Sequence, residues 1–303
     1  MPHPKYWLAA FRLRTLPLAL STIFTGSFAA AVSGAFRCDV LLLASLTTLF
    51  LQILSNLAND YGDGVAGTDQ HRQGEKRMVQ SGLITQSHML RMIIVFALLS
   101  LVSGIALLMI ALPQLFSFKG LSFLILGVLG IGAAINYTIG RNPYGYKGWG
   151  DFFVFVFFGL VGVFGSFYLH AGIFQWDVKL LAIALGLFSA GVLNVNNMRD
   201  EVSDCAAGKR SLVVIHGHRF GVIYHFCLII SAWILVILYV AIHQSSFVNW
   251  LFLITLPLFV RHLRVVWQTT TLQMLDPQLK QLSLAIFFLV ILLIVGYIAP
   301  LVF

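Results

Sequence analysis

The most informative shortage in this sequence is the shortage of charge. Of the 303 residues only 10% are Asp, Glu, Lys or Arg, whereas 59% are hydrophobic. A soluble domain has about 25% charged residues and needs them to cover its surface. The composition therefore excludes a cytosolic globular enzyme, a nucleic-acid-binding module and a disordered chain. The net charge of +8 does not indicate a nucleic-acid partner, because the basic residues are spread between long apolar runs.

Cysteine is scarce as well. The chain has three cysteines, Cys38, Cys205 and Cys227, with no CxxC pair and no spacing typical of metal ligands. Disulfide frameworks and zinc sites need several cysteines at characteristic spacings. We therefore expect neither, and we expect the three cysteines to be unpaired packing residues.

Long apolar runs, in contrast, are abundant. A bilayer core about 30 Å thick requires about 20 apolar residues in a helix. The runs are continuously apolar, whereas the strands of a membrane barrel alternate in polarity, so we expect helices. The sequence predicts an all-α polytopic membrane protein with nine helices near 16–36, 40–58, 92–112, 120–139, 152–173, 179–197, 221–242, 247–262 and 283–302.

The distribution of basic residues predicts the orientation of these helices. With nine spans, one side of the membrane holds the N-terminus and alternate loops, and this side carries 16 of the 19 Lys and Arg residues if Arg261 at its edge is included. Basic residues concentrate in cytoplasmic segments. We therefore expect a bacterial inner-membrane protein whose cytoplasmic side carries the N-terminus and the loops 59–91, 140–151, 198–220 and 263–282.

Two clusters of acidic residues begin at matching helix ends. The second apolar run ends in NLANDYGD, residues 56–63, and the sixth ends in NNMRDEVSD, residues 196–204. Residues three or four apart share one face of a helix. An alternative for the first cluster is that Gly62 and Gly64 end the helix before Asp63. The residues predicted to share a face are Asn56, Asp60 and Asp63 in the first cluster, and Asn196, Asp200 and Asp204 in the second.

These clusters have the composition of a metal site. Stacked carboxylates repel one another unless a cation neutralises them. Mg²⁺ prefers oxygen ligands and is usually held by one or two carboxylates together with phosphate oxygens. Two facing clusters therefore predict a diphosphate bridged by two Mg²⁺ ions. The basic residues that follow the clusters, and that we expect to neutralise the diphosphate oxygens, are Arg72, Lys76, Arg77, Lys209 and Arg210.

The motifs resemble those of the UbiA-type superfamily of intramembrane prenyltransferases, which has nine helices and two Asp-rich motifs of the form NxxxDxxxD. The second cluster has this full pattern, and the first reads NxxxDxxD. The resemblance covers roughly residues 12 to 220 and is strongest to the branch that prenylates 1,4-dihydroxy-2-naphthoate. It is carried by RTLPLAL (14–20), NLANDYGDGVAGTDQHR (56–72), NPYGYKGWGDFFVFVFFGLVGVFGSFYL (142–169) and NVNNMRDEVSDCAAGKRSLVV (194–214).

The resemblance implies a UbiA-type bundle and a reaction. An Mg²⁺-dependent transferase of this kind joins the polyprenyl group of a polyprenyl diphosphate to 1,4-dihydroxy-2-naphthoate, with loss of diphosphate and carbon dioxide. The product is demethylmenaquinol, an intermediate of menaquinone biosynthesis. The resemblance assigns the Asn and Asp residues of both clusters to metal binding and the aspartates to catalysis.

The resemblance also assigns substrate contacts. Lys209 and Arg77 fall where the family has basic contacts to diphosphate. Tyr137 matches a tyrosine near the reacting allylic carbon, and Arg141, one turn further on, is assigned to the carboxylate of the aromatic acceptor. The two clusters lie in corresponding positions, so we expect one domain, residues 1–303, made of two related halves, about 1–140 and 141–303.

Three alternatives stay open at this point. Another member of the family would use 4-hydroxybenzoate or homogentisate, although the NDYxD form of the first motif and the NPYGYKG loop favour naphthoate. An ion-coupled transporter also contains repeated halves and intramembrane acids, but it places them near the middle of the membrane. A non-catalytic membrane scaffold would not require two intact acidic motifs.

Overall fold

The structure, a computed structural model, describes residues 2–67, 77–269 and 271–302, with side chains up to residue 300. This described part contains helices and turns but no strands. Within it, nine helices are long and apolar enough to cross a membrane, which confirms the predicted all-α multi-pass architecture. They are α1 (Pro4–Val32), α2 (Cys38–Ala66), α3 (Gln86–Ala111), α4 (Phe118–Asn136), α5 (Gly150–Ala171), α6 (Val178–Arg199), α7 (His218–His243), α8 (Phe247–Gln268) and α9 (Leu272–Pro300).

The helices differ in how deeply they are buried. Most of α6 lies inside the bundle, whereas almost all of α4 faces outward. The largest buried cluster joins α1 to α5–α9, and a second cluster joins α1 to α2, α3 and α4. Helices α2 and α6 carry the two acidic motifs at one end of the bundle, which we call the motif end. The division into two related halves stays a prediction.

Helix α2 continues past both glycines to Ala66, so Gly62 and Gly64 do not end it before Asp63. Gly62 instead permits a close approach: a Cβ atom there would lie 2.6 Å from Oγ1 and 2.7 Å from the carbonyl oxygen of Thr138. The hydroxyl of Thr138 donates to the carbonyl of Ala58 at 2.9 Å. Gly67 ends the helix with φ of 72°, as expected for a left-handed C-terminal cap.

Helix α1 is broken near its start. Arg12 has φ of 49°, and a 3-10 turn, Leu13–Thr15, leads into the long segment Leu16–Val32. Both the backbone N–H (2.9 Å) and the hydroxyl (3.0 Å) of Thr15 donate to the carbonyl of Arg12. These bonds hold the break at the motif end of the bundle.

The cysteines are unpaired, as the sequence predicts, but they are not packing residues. Cys38, Cys205 and Cys227 are all exposed. Cys38 begins α2, Cys205 lies in the short helix after α6, and Cys227 lies on the outer surface of α7. An apolar side chain is stable on the outside of a membrane protein, which is why composition alone did not separate the two environments.

Candidate active site

A cavity of about 420 Å³ opens between α1 to α6 and α9. Most of its wall is apolar, with Leu18, Leu107, Phe123 and Phe157 among the lining side chains. The polar lining is concentrated at the motif end, where α2 and α6 terminate. The cavity therefore combines a charged end with a long apolar interior.

Three residues of the first motif line this cavity: Asn56, Asn59 and Asp63. Asp63 is buried and accepts two hydrogen bonds from outside α2. The guanidinium of Arg77 donates to its Oδ2 at 2.8 Å, and the hydroxyl of Tyr146 donates to its Oδ1 at 3.0 Å. Of these three residues, Asn59 and Asp63 have the same four-residue step as Asn196 and Asp200.

Asp60 is directed elsewhere, and the structure does not bring it together with the other predicted ligands. Its carboxylate accepts the backbone N–H groups of Met78 at 3.0 Å and Val79 at 2.9 Å, and it is absent from the cavity lining in the described part of the chain. Three residues along a helix correspond to a rotation of about 60° from one side chain to the next. This rotation separates the side chain of Asp60 from that of Asp63. The rule that residues i and i+3 share a face ignores this offset.

The second motif is arranged as its spacing predicts. Asn196, Asp200 and Asp204 all line the cavity. Helix α6 ends at Arg199, and Asp200 caps a short helix, Glu201–Ala206, so that the backbone N–H of Asp204 still donates to the carbonyl of Asp200 at 2.8 Å. The four-residue helical spacing from Asp200 to Asp204 is therefore kept although α6 itself has ended.

Each aspartate of the second motif has its own cation. Arg199 donates through Nε to Oδ1 and through Nη2 to Oδ2 of Asp200, both at 2.7 Å. The ammonium group of Lys209 lies 3.0 Å from Oδ2 of Asp204. Burial raises the pKa of Asp204, while Lys209 opposes this shift. Burial alone would lower the pKa of Lys209, but Asp204, Tyr137 and Asp63 outweigh it and raise the pKa above its usual value.

The loop between α4 and α5 contacts the first motif and the segment that follows the second motif. Tyr137 lines the cavity, and burial raises its pKa to about 12 although Lys209 opposes the shift. A Cβ at Gly145 would lie 3.0 Å from the Tyr137 ring, so this position requires a glycine. The hydroxyl of Tyr146 reaches Asp63, and its carbonyl accepts the backbone N–H of Arg210 at 3.0 Å. The loop therefore connects the end of α2 to the segment that follows the second motif.

Of the remaining predicted contacts, the structure describes Arg77, Arg141, Lys209 and Arg210. Arg141 and Arg210 are exposed, and neither is among the described residues that line it. Arg72 and Lys76 lie outside the residues that the structure describes. Arg77 and Lys209, in contrast, are buried cations that line the cavity. Their contact with diphosphate stays a prediction.

Sequence reasoning missed several cavity residues. Asn59 was detectable from its four-residue step to Asp63, and Tyr146 lies in the NPYGYKG stretch. Arg12 and Arg14 also line the cavity, and no local pattern distinguishes them from basic residues that set membrane orientation. Arg199 belongs to the second motif, but nothing in the sequence indicates that its guanidinium points back to Asp200.

The donor set suits a hard cation that is shared with a phosphate ligand. Among the described residues, the cavity end presents three carboxylates, Asp63, Asp200 and Asp204, together with the side-chain amides of Asn59 and Asn196. Within the described residues no three His, Cys, Asp or Glu side chains are close enough to hold a metal by themselves. Mg²⁺ fits such a site because it usually takes one or two carboxylates and completes its shell with phosphate oxygens and water.

Several known proteins are similar to this chain in sequence. The chain is 44% identical over 276 residues to the 1,4-dihydroxy-2-naphthoate octaprenyltransferase of Escherichia coli (strain K12), covering 91% of this chain and 89% of that protein. It is 42% identical over 287 residues to the protein of the same name from Haemophilus influenzae, covering 92% and 91%.

Solved structures have the same fold. A UbiA homologue from Aeropyrum pernix K1 superposes with a TM-score of 0.70 at 16% identity, over 96% of this chain and 99% of that one. A UbiA homologue from Archaeoglobus fulgidus, bound to GPP and Mg²⁺, superposes with a TM-score of 0.60 at 16% identity, over 95% and 99%. The sequence profile of the UbiA prenyltransferase family matches residues 19–290. The chain therefore belongs to the UbiA prenyltransferase family.

Proposed function

We propose that the protein transfers a polyprenyl group from polyprenyl diphosphate to 1,4-dihydroxy-2-naphthoate, releasing diphosphate and carbon dioxide and forming demethylmenaquinol. The observation that carries this proposal is the convergence of Asp63, Asp200 and Asp204 at the charged end of an otherwise apolar cavity. The names of the relatives from Escherichia coli and Haemophilus influenzae support naphthoate as the acceptor.

The carboxylates and amides of the two motifs are the residues that would hold Mg²⁺. The Archaeoglobus fulgidus homologue binds GPP and Mg²⁺, which supports a divalent cation here, and we propose two ions. When bound, Mg²⁺ supplies electrostatic stabilisation of the negative charge that develops on the leaving diphosphate. The proposed ligands are Asn59, Asp63, Asn196, Asp200 and Asp204.

Arg77 and Lys209 act on the same leaving group. Each pairs with a motif aspartate, at 2.8 Å for Arg77 with Asp63 and 3.0 Å for Lys209 with Asp204. Both side chains line the cavity, so diphosphate oxygens at this end lie within their reach. Charge-assisted hydrogen bonds from these groups stabilise the diphosphate as the C–O bond breaks.

The apolar interior protects the reacting carbon. An allylic cation is captured by water unless water is excluded, and aromatic faces stabilise cations. Tyr137, Tyr144, Phe153 and Phe157 line the wall next to the charged end. Tyr144 packs against Phe153 with ring centroids 4.1 Å apart and against Tyr137 at 5.3 Å. The naphthalene ring then attacks the cation from within this aromatic enclosure.

We further propose that the motif end faces the cytoplasm of a bacterium and that the bundle lies in its inner membrane. The excess of Lys and Arg on the side that carries the motifs supports this orientation. The water-soluble naphthoate enters from that side, and the prenyl tail lies in the apolar cavity and the surrounding lipid.

A product assay tests this function. Purified protein receives Mg²⁺, farnesyl diphosphate and 1,4-dihydroxy-2-naphthoate labelled in its carboxyl carbon, with 4-hydroxybenzoate in a parallel reaction. We expect labelled carbon dioxide and a prenylated naphthoquinol, loss of both with EDTA, and recovery with excess Mg²⁺. If only 4-hydroxybenzoate is prenylated, the proposed acceptor is wrong and 4-hydroxybenzoate takes its place. Turnover that is unaffected by EDTA would contradict the proposed metal site.

A further inference from the structure

A second polar region of the cavity lies beside the proposed diphosphate site. It is formed at the break in α1 and on the facing side of α2, and we call it the N-terminal corner. The amide nitrogen of Asn56 donates to Oγ1 of Thr15 at 3.0 Å, and that of Gln52 donates to the same atom at 3.3 Å. The corner consists of five cavity-lining residues, Arg12, Arg14, Thr15, Gln52 and Asn56.

The backbone of the corner is held in a costly conformation. Within the described chain, Arg12 is the one residue other than glycine with positive φ, and an L-residue adopts this left-handed region only at a steric cost. Such a conformation is kept only where contacts with the surrounding structure hold it in place. Here the double donation from Thr15 to the Arg12 carbonyl holds it, and the result is that two guanidinium groups reach one cavity wall.

The corner is connected to both acidic motifs. Through Asn56 it contacts the helix of the first motif. Through Arg14, whose Nη1 lies 3.5 Å from Asp276, it contacts a carboxylate that also accepts from Arg199, the partner of Asp200. Asn56 precedes Asp63 by seven residues, about 10 Å along α2. A ligand in the corner is therefore next to the diphosphate site but further from the end of α2.

The charges of the corner suit an anion that lies beside the proposed diphosphate site. Asp63, Asp204 and Asp200 each have a basic partner in Arg77, Lys209 and Arg199. The corner adds the guanidinium groups of Arg12 and Arg14, next to the polar side chains of Thr15, Gln52 and Asn56. A guanidinium group matches a carboxylate with two parallel hydrogen bonds, and this geometry suits a planar aromatic acid.

We propose that the N-terminal corner, with Arg14 as the principal contact, binds the carboxylate of the aromatic acceptor. This inference rests on the proposed function, and it replaces Arg141, which is exposed and does not line the cavity in the described chain. A carboxylate at Arg14 places the aromatic ring between the two motifs, where it faces the end of the apolar cavity occupied by the allylic carbon.

A thermodynamic cycle that compares two ligands on two variants of the protein tests the proposal. The dissociation constants of 1,4-dihydroxy-2-naphthoate and of 1,4-dihydroxynaphthalene, which has the same ring without the carboxylate, are measured for the wild type and for Arg14→Gln. Loss of a charge-assisted pair corresponds to about 10- to 100-fold in affinity. We expect this loss for the naphthoate and less than about twofold change for the dihydroxynaphthalene, with partial recovery in Arg14→Lys.

Two further variants sharpen the assignment. Arg219→Gln removes an exposed arginine at the start of α7 and serves as the matched control, with wild-type affinities expected. Arg141→Gln is expected to bind both ligands as the wild type does. Equal weakening of both ligands by Arg14→Gln, weaker binding of prenyl diphosphate, or a naphthoate-specific loss in Arg141→Gln would overturn the corner as the carboxylate site.

The outcome is independent of the product assay. If the wild type binds naphthoate through Arg14 but forms no product, the proposed function fails and the binding site stands. If the wild type forms product while Arg14→Gln keeps its preference for the carboxylate, the inference fails and the function stands.

Discussion

Arg199 at the end of α6 connects the second acidic motif to Asp276 on the last helix. Its guanidinium donates to both oxygens of Asp200 at 2.7 Å and also to Asp276. The side chain of Arg199 is buried, whereas that of Asp276 is 34% exposed. The last helix, which the sequence presents as a plain apolar span, therefore supports the orientation of Asp200, a candidate metal ligand directly after α6.

Removing the carboxylate of Asp276 tests this support. In Asp276→Asn we expect the Mg²⁺ concentration for half-maximal activity to rise about 3- to 10-fold, because Arg199 loses one of its two carboxylate partners and holds Asp200 less rigidly. The measurement is a Mg²⁺ titration of activity, with the thermal unfolding temperature recorded in parallel. Asp177→Asn, at the opposite end of the bundle, is the control and leaves the titration unchanged. A lower unfolding temperature with an unaltered Mg²⁺ requirement would assign Asp276 to folding alone.

We expect substitution of Asp63 to affect mainly kcat and substitution of Asp60 to affect mainly stability. Asp63→Asn removes a cavity-lining carboxylate and lowers kcat by at least about 100-fold without unfolding the protein. Asp60→Asn weakens the acceptor of two backbone N–H groups and lowers stability by about 1–3 kcal/mol, with a smaller effect on kcat of the folded protein.

Kinetics and denaturation of the two variants, measured in one detergent, separate these effects. The assignment of Asp60 as a metal ligand from the spacing predicts instead that both variants lose activity equally. That result would place Asp60 in the metal site and contradict the contacts of its carboxylate with Met78 and Val79.

Gly62 allows α2 to approach the segment after α4. A methyl group at this position meets the side chain and carbonyl of Thr138 at 2.6–2.7 Å, so we expect Gly62→Ala to cost about 1–3 kcal/mol and to displace the neighbouring Tyr137. Thermal unfolding and kcat both report the change. Gly132→Ala, where a Cβ has nothing within 4 Å, is the matched control within α4. Equal unfolding temperatures for the two variants would argue against the close contact.

Tyr137 is expected to act as a neutral phenol. Burial raises its pKa to about 12, so its hydroxyl keeps the proton throughout the neutral range and cannot serve as a base there. The ratio of wild-type to Tyr137→Phe activity should therefore stay constant between about pH 6 and 9. A ratio that grows with pH in this range would show that the tyrosine ionises during turnover. The profiles of kcat for the two proteins provide the measurement.

Local sequence patterns predict much of this architecture. The apolar runs specify helices that can cross a membrane, because no other open structure satisfies its backbone in lipid. The step of four from Asn196 to Asp200 and to Asp204 predicted three side chains on one wall, since helical spacing relates near neighbours directly. In the first motif the spacing did not distinguish Asp60 from Asp63, because about 60° of rotation around α2 directs the two carboxylates to different neighbours.

Contacts between distant segments had no such local signal. Arg14 reaches Asp276 across 262 residues, and Tyr146 reaches Asp63 across 83. These partners are brought together by the packing of whole helices against one another. That packing depends on apolar helix surfaces, and many different apolar sequences can form surfaces that pack equally well. The chain's own pattern therefore specifies the helices and the general chemistry at their ends. Which cation meets which carboxylate, and which arginines line the cavity, follows from how the helices pack against one another.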